Sequence, residues 1–92
     1  MRNIYIVDDD ESPRRGLVRL LKAGGYDASG FASGQDLLAL PDAVMTNACI
    51  IMDARMASMH PTNIYTELKQ RNLCPIIIMI TADNRQEVRA IA

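Results

Sequence analysis

Three apolar runs in this chain, IYIV, CIIM and PIIIMI, each end on side chains that carry oxygen: Asp8, Asp9 and Asp10 after the first, Asp53 after the second, Thr81 after the third. The runs are continuous rather than alternating, which is the pattern of strands covered on both faces, and such strands lie parallel with their carboxyl ends along one rim. That rim is where open α/β sheets bind ligands. Carboxylates gathered there repel one another by up to about 4 kcal/mol for a pair ~4 Å apart at an effective dielectric near 20. A divalent cation would remove the conflict.

The segments between the runs read as helices and one edge strand. Asn3 to Val7 is the first strand, and Ser12 stands as N-cap of a helix with Pro13 at its first position, where a missing N–H does no harm. Leu17, Leu20 and Leu21 give that helix an apolar stripe, and Gly24-Gly25 ends it. Tyr26 to Phe31 is a weaker strand whose Ser29 and Gly30 place it at a sheet edge. Ser33 with Asp36 three residues on resembles a capping box, opening a short helix with Leu37, Leu38 and Leu40 that stops at Pro41; a polar connection through Thr46-Asn47 follows.

After Asp53, a loop from Ala54 to His60 leads to a helix with Pro61 near its start and Ile64, Tyr65 and Leu68 on one face, closed by Leu73-Cys74-Pro75. Asp83 with Gln86 repeats the capping-box spacing and predicts a last helix through Val88 and Ile91. The order βαβαβαβα implies an α/β fold with parallel strands joined by right-handed crossovers.

At 92 residues the chain is one domain, burying only somewhat more than ~60% of its unfolded surface. Ten basic and eleven acidic side chains supply no basic field for a phosphate backbone, so direct nucleic-acid binding is not expected of this segment. The four apolar residues of the first strand fall far short of a membrane span or signal-peptide core, and the chain reads as cytoplasmic. Cys49 and Cys74, at the starts of the third and fourth strands, lack metal-ligand spacing and read as small buried hydrophobes, while the lone His60 beside Pro61 reads as a helix-start or surface residue.

The chain resembles the receiver domains of two-component response regulators, and among them those of the FixJ-like transcription regulators. The resemblance rests on Asp8-Asp9-Asp10-Glu11, Phe31-Ala32-Ser33-Gly34, Asp53-Ala54-Arg55-Met56 and Thr81-Ala82. It implies a flavodoxin-like open sheet of order 2-1-3-4. It also implies that Asp53 is the phosphoacceptor, that Asp8 and Asp9 with Asp53 and the backbone carbonyl of Arg55 hold Mg²⁺, and that Thr81 contacts the phosphoryl group and reports its arrival. Hard oxygen ligands suit magnesium, and a carboxylate can take a phosphoryl group as an aspartyl-phosphate. Acids ahead of a helix also favour its dipole, which accounts for Asp10 and Glu11 without a metal role.

By the same resemblance the donor is a sensor histidine kinase, the protein is no enzyme beyond its own phosphorylation and dephosphorylation, and DNA is reached only through an output domain not present here. The family's fifth strand and its active-site Lys have no counterpart before Ala92, so residues 1–92 read as a receiver truncated after the start of its fourth helix. FixJ-like receivers continue after the acceptor with Met-Pro-Gly-Met-Ser-Gly, whereas this chain has Met56-Ala57-Ser58-Met59-His60-Pro61, a change expected to shift the loop and weaken the Arg55 contact to Mg²⁺. Ile76 to Ile80 would lie on an unprotected sheet edge, which suggests self-association through the fourth strand and the helix after it.

Two other readings are open to these residues. A truncated receiver could serve as an interaction module without phosphorylation. Asp8-Asp9-Asp10-Glu11-Ser12 also fits D-x-D-x-S of haloacid-dehalogenase-type phosphatases, although the chain has no room for the later Lys and acidic ligands such an enzyme needs.

Overall fold

The computed structural model of the chain describes residues 3–54, 60–81 and 87–91, with Thr81 and 87–91 described by backbone alone. Its elements are β1 (Asn3–Val7), α1 (Glu11–Ala23), β2 (Asp27–Phe31), α2 (Gly34–Leu38), α3 (Asp42–Met45), β3 (Cys49–Asp53), α4 (Pro61–Gln70), β4 (Ile76–Thr81) and β5 (Glu87–Ile91). The sheet order is β2-β1-β3-β4-β5. The first four strands in that order are parallel, as the flavodoxin-like reading requires, and β2 is the edge strand its Gly30 and Ser29 predict.

The apolar runs behave as buried strands because helices cover both faces. On one face Tyr5, Val7, Ile50, Met52 and Ile77 pack with Leu37 of α2, Met45 of α3 and Ile64 and Leu68 of α4. On the other, Ile4, Ile6 and Ala28 meet Leu17, Val18 and Leu21 of α1, with Cys49 and Ile51 partly covered. Tyr5 fits its layer through an edge-on contact with Phe31, ring centroids 5.7 Å apart, and its hydroxyl donates to the Val44 carbonyl at 3.3 Å.

Local chemistry sets the helix ends. Ser33 accepts from the Asp36 N–H at 3.1 Å, the expected cap of α2. His60 starts α4, its Nδ1 accepting from the Thr62 N–H at 3.1 Å. Gly24 closes α1, and Gly25 follows at φ 94°, a conformation that favours glycine.

Five expectations are corrected. The N-cap of α1 is Asp10, whose carboxylate accepts from the Ser12 N–H at 3.2 Å, so the helix starts earlier and Pro13 sits at its third position, where the N–H is still not needed by the helix. Pro41 opens the short α3, within what reads from sequence as a polar connection. Cys49 is half-buried and Cys74 exposed, so neither is the buried hydrophobe expected.

The last helix is a strand. Residues Glu87–Ile91 pair antiparallel with β4, from Thr81↔Glu87 to Ile77↔Ile91. Glu-Val-Arg-Ala-Ile alternates polar and apolar with period two, and the edge of β4 offers a row of backbone donors and acceptors that a strand satisfies directly. The capping pair Asp83 and Gln86 lies outside the described residues. With β5 in place β4 is paired on both sides, so the exposed-edge argument for self-association through β4 does not hold.

Candidate metal and phosphoryl site

Register brings the strand ends level. Val7, the last residue of β1, pairs with Met52, and Met52 pairs with Met79 of β4, so Asp8 and Asp53 leave adjacent strands at the same height. Asp53 in turn pairs with Ile80, one residue before Thr81. Carboxylate oxygens of Asp8, Asp9 and Asp53 all lie within 4.8 Å of one another, with Asp8 and Asp53 half-buried and Asp9 exposed. A single small cation could bridge the three.

The loop carrying Asp8 and Asp9 is held on several sides. The Asp8 N–H donates to the Phe31 carbonyl at 3.1 Å, extending the pairing with β2. Its Oδ1 accepts the Asp10 N–H at 2.9 Å, which turns the chain into α1. Arg14 reaches back from α1 to donate through Nη1 to the Asp8 carbonyl oxygen at 2.8 Å. On the far side, the Ala54 N–H donates to the Ile80 carbonyl at 2.9 Å and fixes the exit from Asp53. Between these walls lies a cleft of about 250 Å³ bordered by Asp8, Asp10, Asp53, Pro13, Leu17 and Ile80.

Electrostatics favour a bound cation. Burial pushes the Asp8 carboxyl above its ordinary pKa; the Asp10 N–H partly opposes this, and the charges of Asp53, Asp9 and Asp10 raise it further. A divalent ion beside Asp8 would offset the charges that crowd it. Hard oxygen donors with an exposed side for retained waters match magnesium.

Of the residues singled out from sequence, Asp8, Asp9 and Asp53 come together. Thr81 ends β4 beside them, but its side chain lies outside the described part of the structure, as does all of Arg55. The altered segment Met56-Ala57-Ser58-Met59 is also outside it. Asp10 caps α1. Sequence reasoning passed over Arg14, because a basic residue on a helix carries no pattern that announces a backbone contact six residues earlier.

Residues 4–92 match the family model of the response regulator receiver domain. The chain belongs to the response regulator receiver family. This receiver is 32% identical over 80 residues to nodulation protein W of Bradyrhizobium diazoefficiens, an alignment covering 85% of this chain and 34% of that protein. It therefore spans about a third of that relative's length. Its fold superposes on the crystal structure of FixJ-N with a TM-score of 0.80 at 27% identity, covering 88% of this chain and 64% of that one. It also superposes on the response regulator TrrA of Thermotoga maritima, solved in complex with Mg²⁺-BeF, with a TM-score of 0.74 at 25% identity over 89% of this chain and 70% of that one. Among the described residues, no helix is long and apolar enough to cross a membrane.

Proposed function

We propose that this receiver accepts a phosphoryl group on Asp53 from the phosphohistidine of a sensor kinase and thereby changes its contacts with an output domain or partner. The observation that carries the reading is the meeting of Asp53 with Asp8 and Asp9 within 4.8 Å. Asp53 ends an apolar strand and fronts a cleft open to a donor. Its carboxylate oxygen forms the bond to phosphorus as the bond from phosphorus to the donor imidazole nitrogen breaks, and the imidazole leaves with the electron pair. Phosphoryl transfer asks the protein mainly for alignment and charge neutralisation.

Asp8 and Asp9, with Asp53, are the residues that would hold Mg²⁺, and the Arg55 carbonyl is the further ligand in this reading. The ion, when bound, supplies the positive charge that lets an anionic phosphoryl group approach three carboxylates. Asp8 is oriented for this by the Asp10 N–H on its Oδ1. Thr81 would offer its hydroxyl to a phosphoryl oxygen from the end of β4. TrrA's complex with Mg²⁺-BeF supports the assignment by analogy.

The test is to incubate the protein with a small-molecule phosphodonor and Mg²⁺ and to weigh the intact chain. One added phosphoryl group, absent in Asp53→Asn and without Mg²⁺, is the expected result. No adduct on the folded protein would refute the reading and leave an interaction module; an adduct that persists in Asp53→Asn but vanishes in Asp8→Asn would favour the haloacid-dehalogenase type instead.

A further inference from the structure

We propose that Arg14 is a positioning residue for the metal-holding loop, and that Gly30 of β2 is the gap that lets it reach. The inference rests on the reading of Asp8, Asp9 and Asp53 as the Mg²⁺ ligands. Arg14 lies in the first turns of α1, yet its guanidinium reaches back to bond the Asp8 carbonyl oxygen at 2.8 Å. A charge-assisted bond of this kind is stronger than a neutral one. It fixes the peptide plane after Asp8, and with it the direction in which Asp9 leaves.

The route of the side chain is what makes Gly30 matter. A Cβ on Gly30 would stand 3.0 Å from Arg14 Cγ, 3.2 Å from its Cδ and 3.3 Å from Val18 Cγ2. An arginine stem normally yields to such a contact by changing rotamer. Here the guanidinium is tied to Asp8 and the Cα to the helix, so the few tenths of an ångström that the stem must give are drawn from the Asp8 bond. Gly30 adopts no left-handed conformation, so a side chain there is crowded by its neighbours rather than strained by the backbone.

The same loop is secured from its other end by the Asp8 N–H on the Phe31 carbonyl, one residue beyond Gly30. Strand β2 therefore grips Asp8 twice, directly through Phe31 and indirectly by leaving room for Arg14. Groups that orient a metal ligand typically change affinity 10- to 100-fold when removed. Because Asp8 keeps its Phe31 and Asp10 contacts, the lower end is expected.

The experiment measures Mg²⁺ affinity by titration for the unaltered protein, Arg14→Ala, Arg14→Lys, Gly30→Ala and the double variant Arg14→Ala/Gly30→Ala, each first shown to melt cooperatively. Arg14→Ala and Gly30→Ala should each weaken binding, by about tenfold for Arg14→Ala. Gly30→Ala should add nothing once Arg14 is gone, and Arg14→Lys should recover part of the loss. Unchanged or tighter binding in Arg14→Ala would overturn the proposal, since a cation acting only by its charge would repel Mg²⁺; additive losses in the double variant would remove Gly30 from it.

Amide hydrogen exchange in the ion-free protein separates this proposal from the one it rests on. Exchange at the Asp10 N–H, which is bonded to Asp8 Oδ1, should quicken in Arg14→Ala while the amides of β3 stay protected. If the unaltered protein binds no Mg²⁺, the phosphoryl reading fails and the exchange result alone decides whether Arg14 positions the loop; unchanged exchange at Asp10 refutes it.

Discussion

Replacing Asp8 by Asn should stabilise this receiver in the absence of divalent ions and remove its response to them. Three carboxylates sit within 4.8 Å of one another, and Coulomb repulsion at that separation is about 1 kcal/mol per pair in water and about 3.5 kcal/mol at an effective dielectric of 20. Asp8 takes part in two such pairs. Because Asp9 is exposed and Asp8 and Asp53 only half-buried, solvent and salt screening brings each below the figure for water, for a net effect of about 1 kcal/mol. Asparagine retains an Oδ1 that can accept the Asp10 N–H, so the loop loses charge without losing its hydrogen bond. For a domain of this size 1 kcal/mol corresponds to a rise in Tm of roughly 4–8 °C.

The pH dependence has a defined sign. The folded-state pKa of Asp8 is raised, chiefly by burial, so the native protein holds that proton more tightly than the unfolded chain does. Its contribution favours the native state below the ordinary carboxylate range and is lost as pH rises through the raised value. The Asn variant has no such titration. Its advantage should therefore open as pH climbs through that range and level off toward neutrality. Melting both proteins in a chelator across pH, then with added Mg²⁺, checks the argument. The unaltered protein should gain about 2.7 kcal/mol at 100 times the dissociation constant, and the variant nearly nothing. A variant that melts lower than the unaltered protein in chelator at neutral pH would refute the repulsion argument.

Two further expectations concern the scaffold. Ile50→Ala removes a fully buried side chain at the centre of the helix-rich face and should cost about 2–5 kcal/mol in chemical denaturation. Gly25→Ala places a Cβ on a residue at φ 94° in open space, so the loss of about 1–2 kcal/mol on melting would be backbone strain alone.

The parallel part of the fold was legible because its signals are local and redundant. Continuous runs such as Ile4 to Val7 and Cys49 to Met52 fit only strands covered on both faces, and Ser33, Gly24 and Pro61 punctuate the helices between them. The acid trio was legible because strand ends in such a sheet must converge. What escaped depended on competition between partners. Asp10 and Ser12 are both good caps, and Asp10 prevails as the chain turns into the helix through the Asp8 carboxylate. Glu87–Ile91 carries both a helical spacing and a two-residue alternation, and the free edge of β4 selects the second. The Arg14 bond depends on the absence of a side chain on another strand, which no pattern within α1 reveals.

The two faces of the sheet are unequal. The side bearing α2, α3 and α4 holds most of the fully buried residues, whereas α1 contributes none and is retained by half-buried Leu17, Val18 and Leu21. Docking of α1 thus rests on half-buried rather than fully buried side chains, and stability of that kind is lost locally more readily than that of a closed core. Asp8 and Asp9 lie between β1 and that helix, while Asp53 ends β3. An ion held by all three would tie the entry of α1 to the end of β3, so that occupancy and helix docking would report on each other.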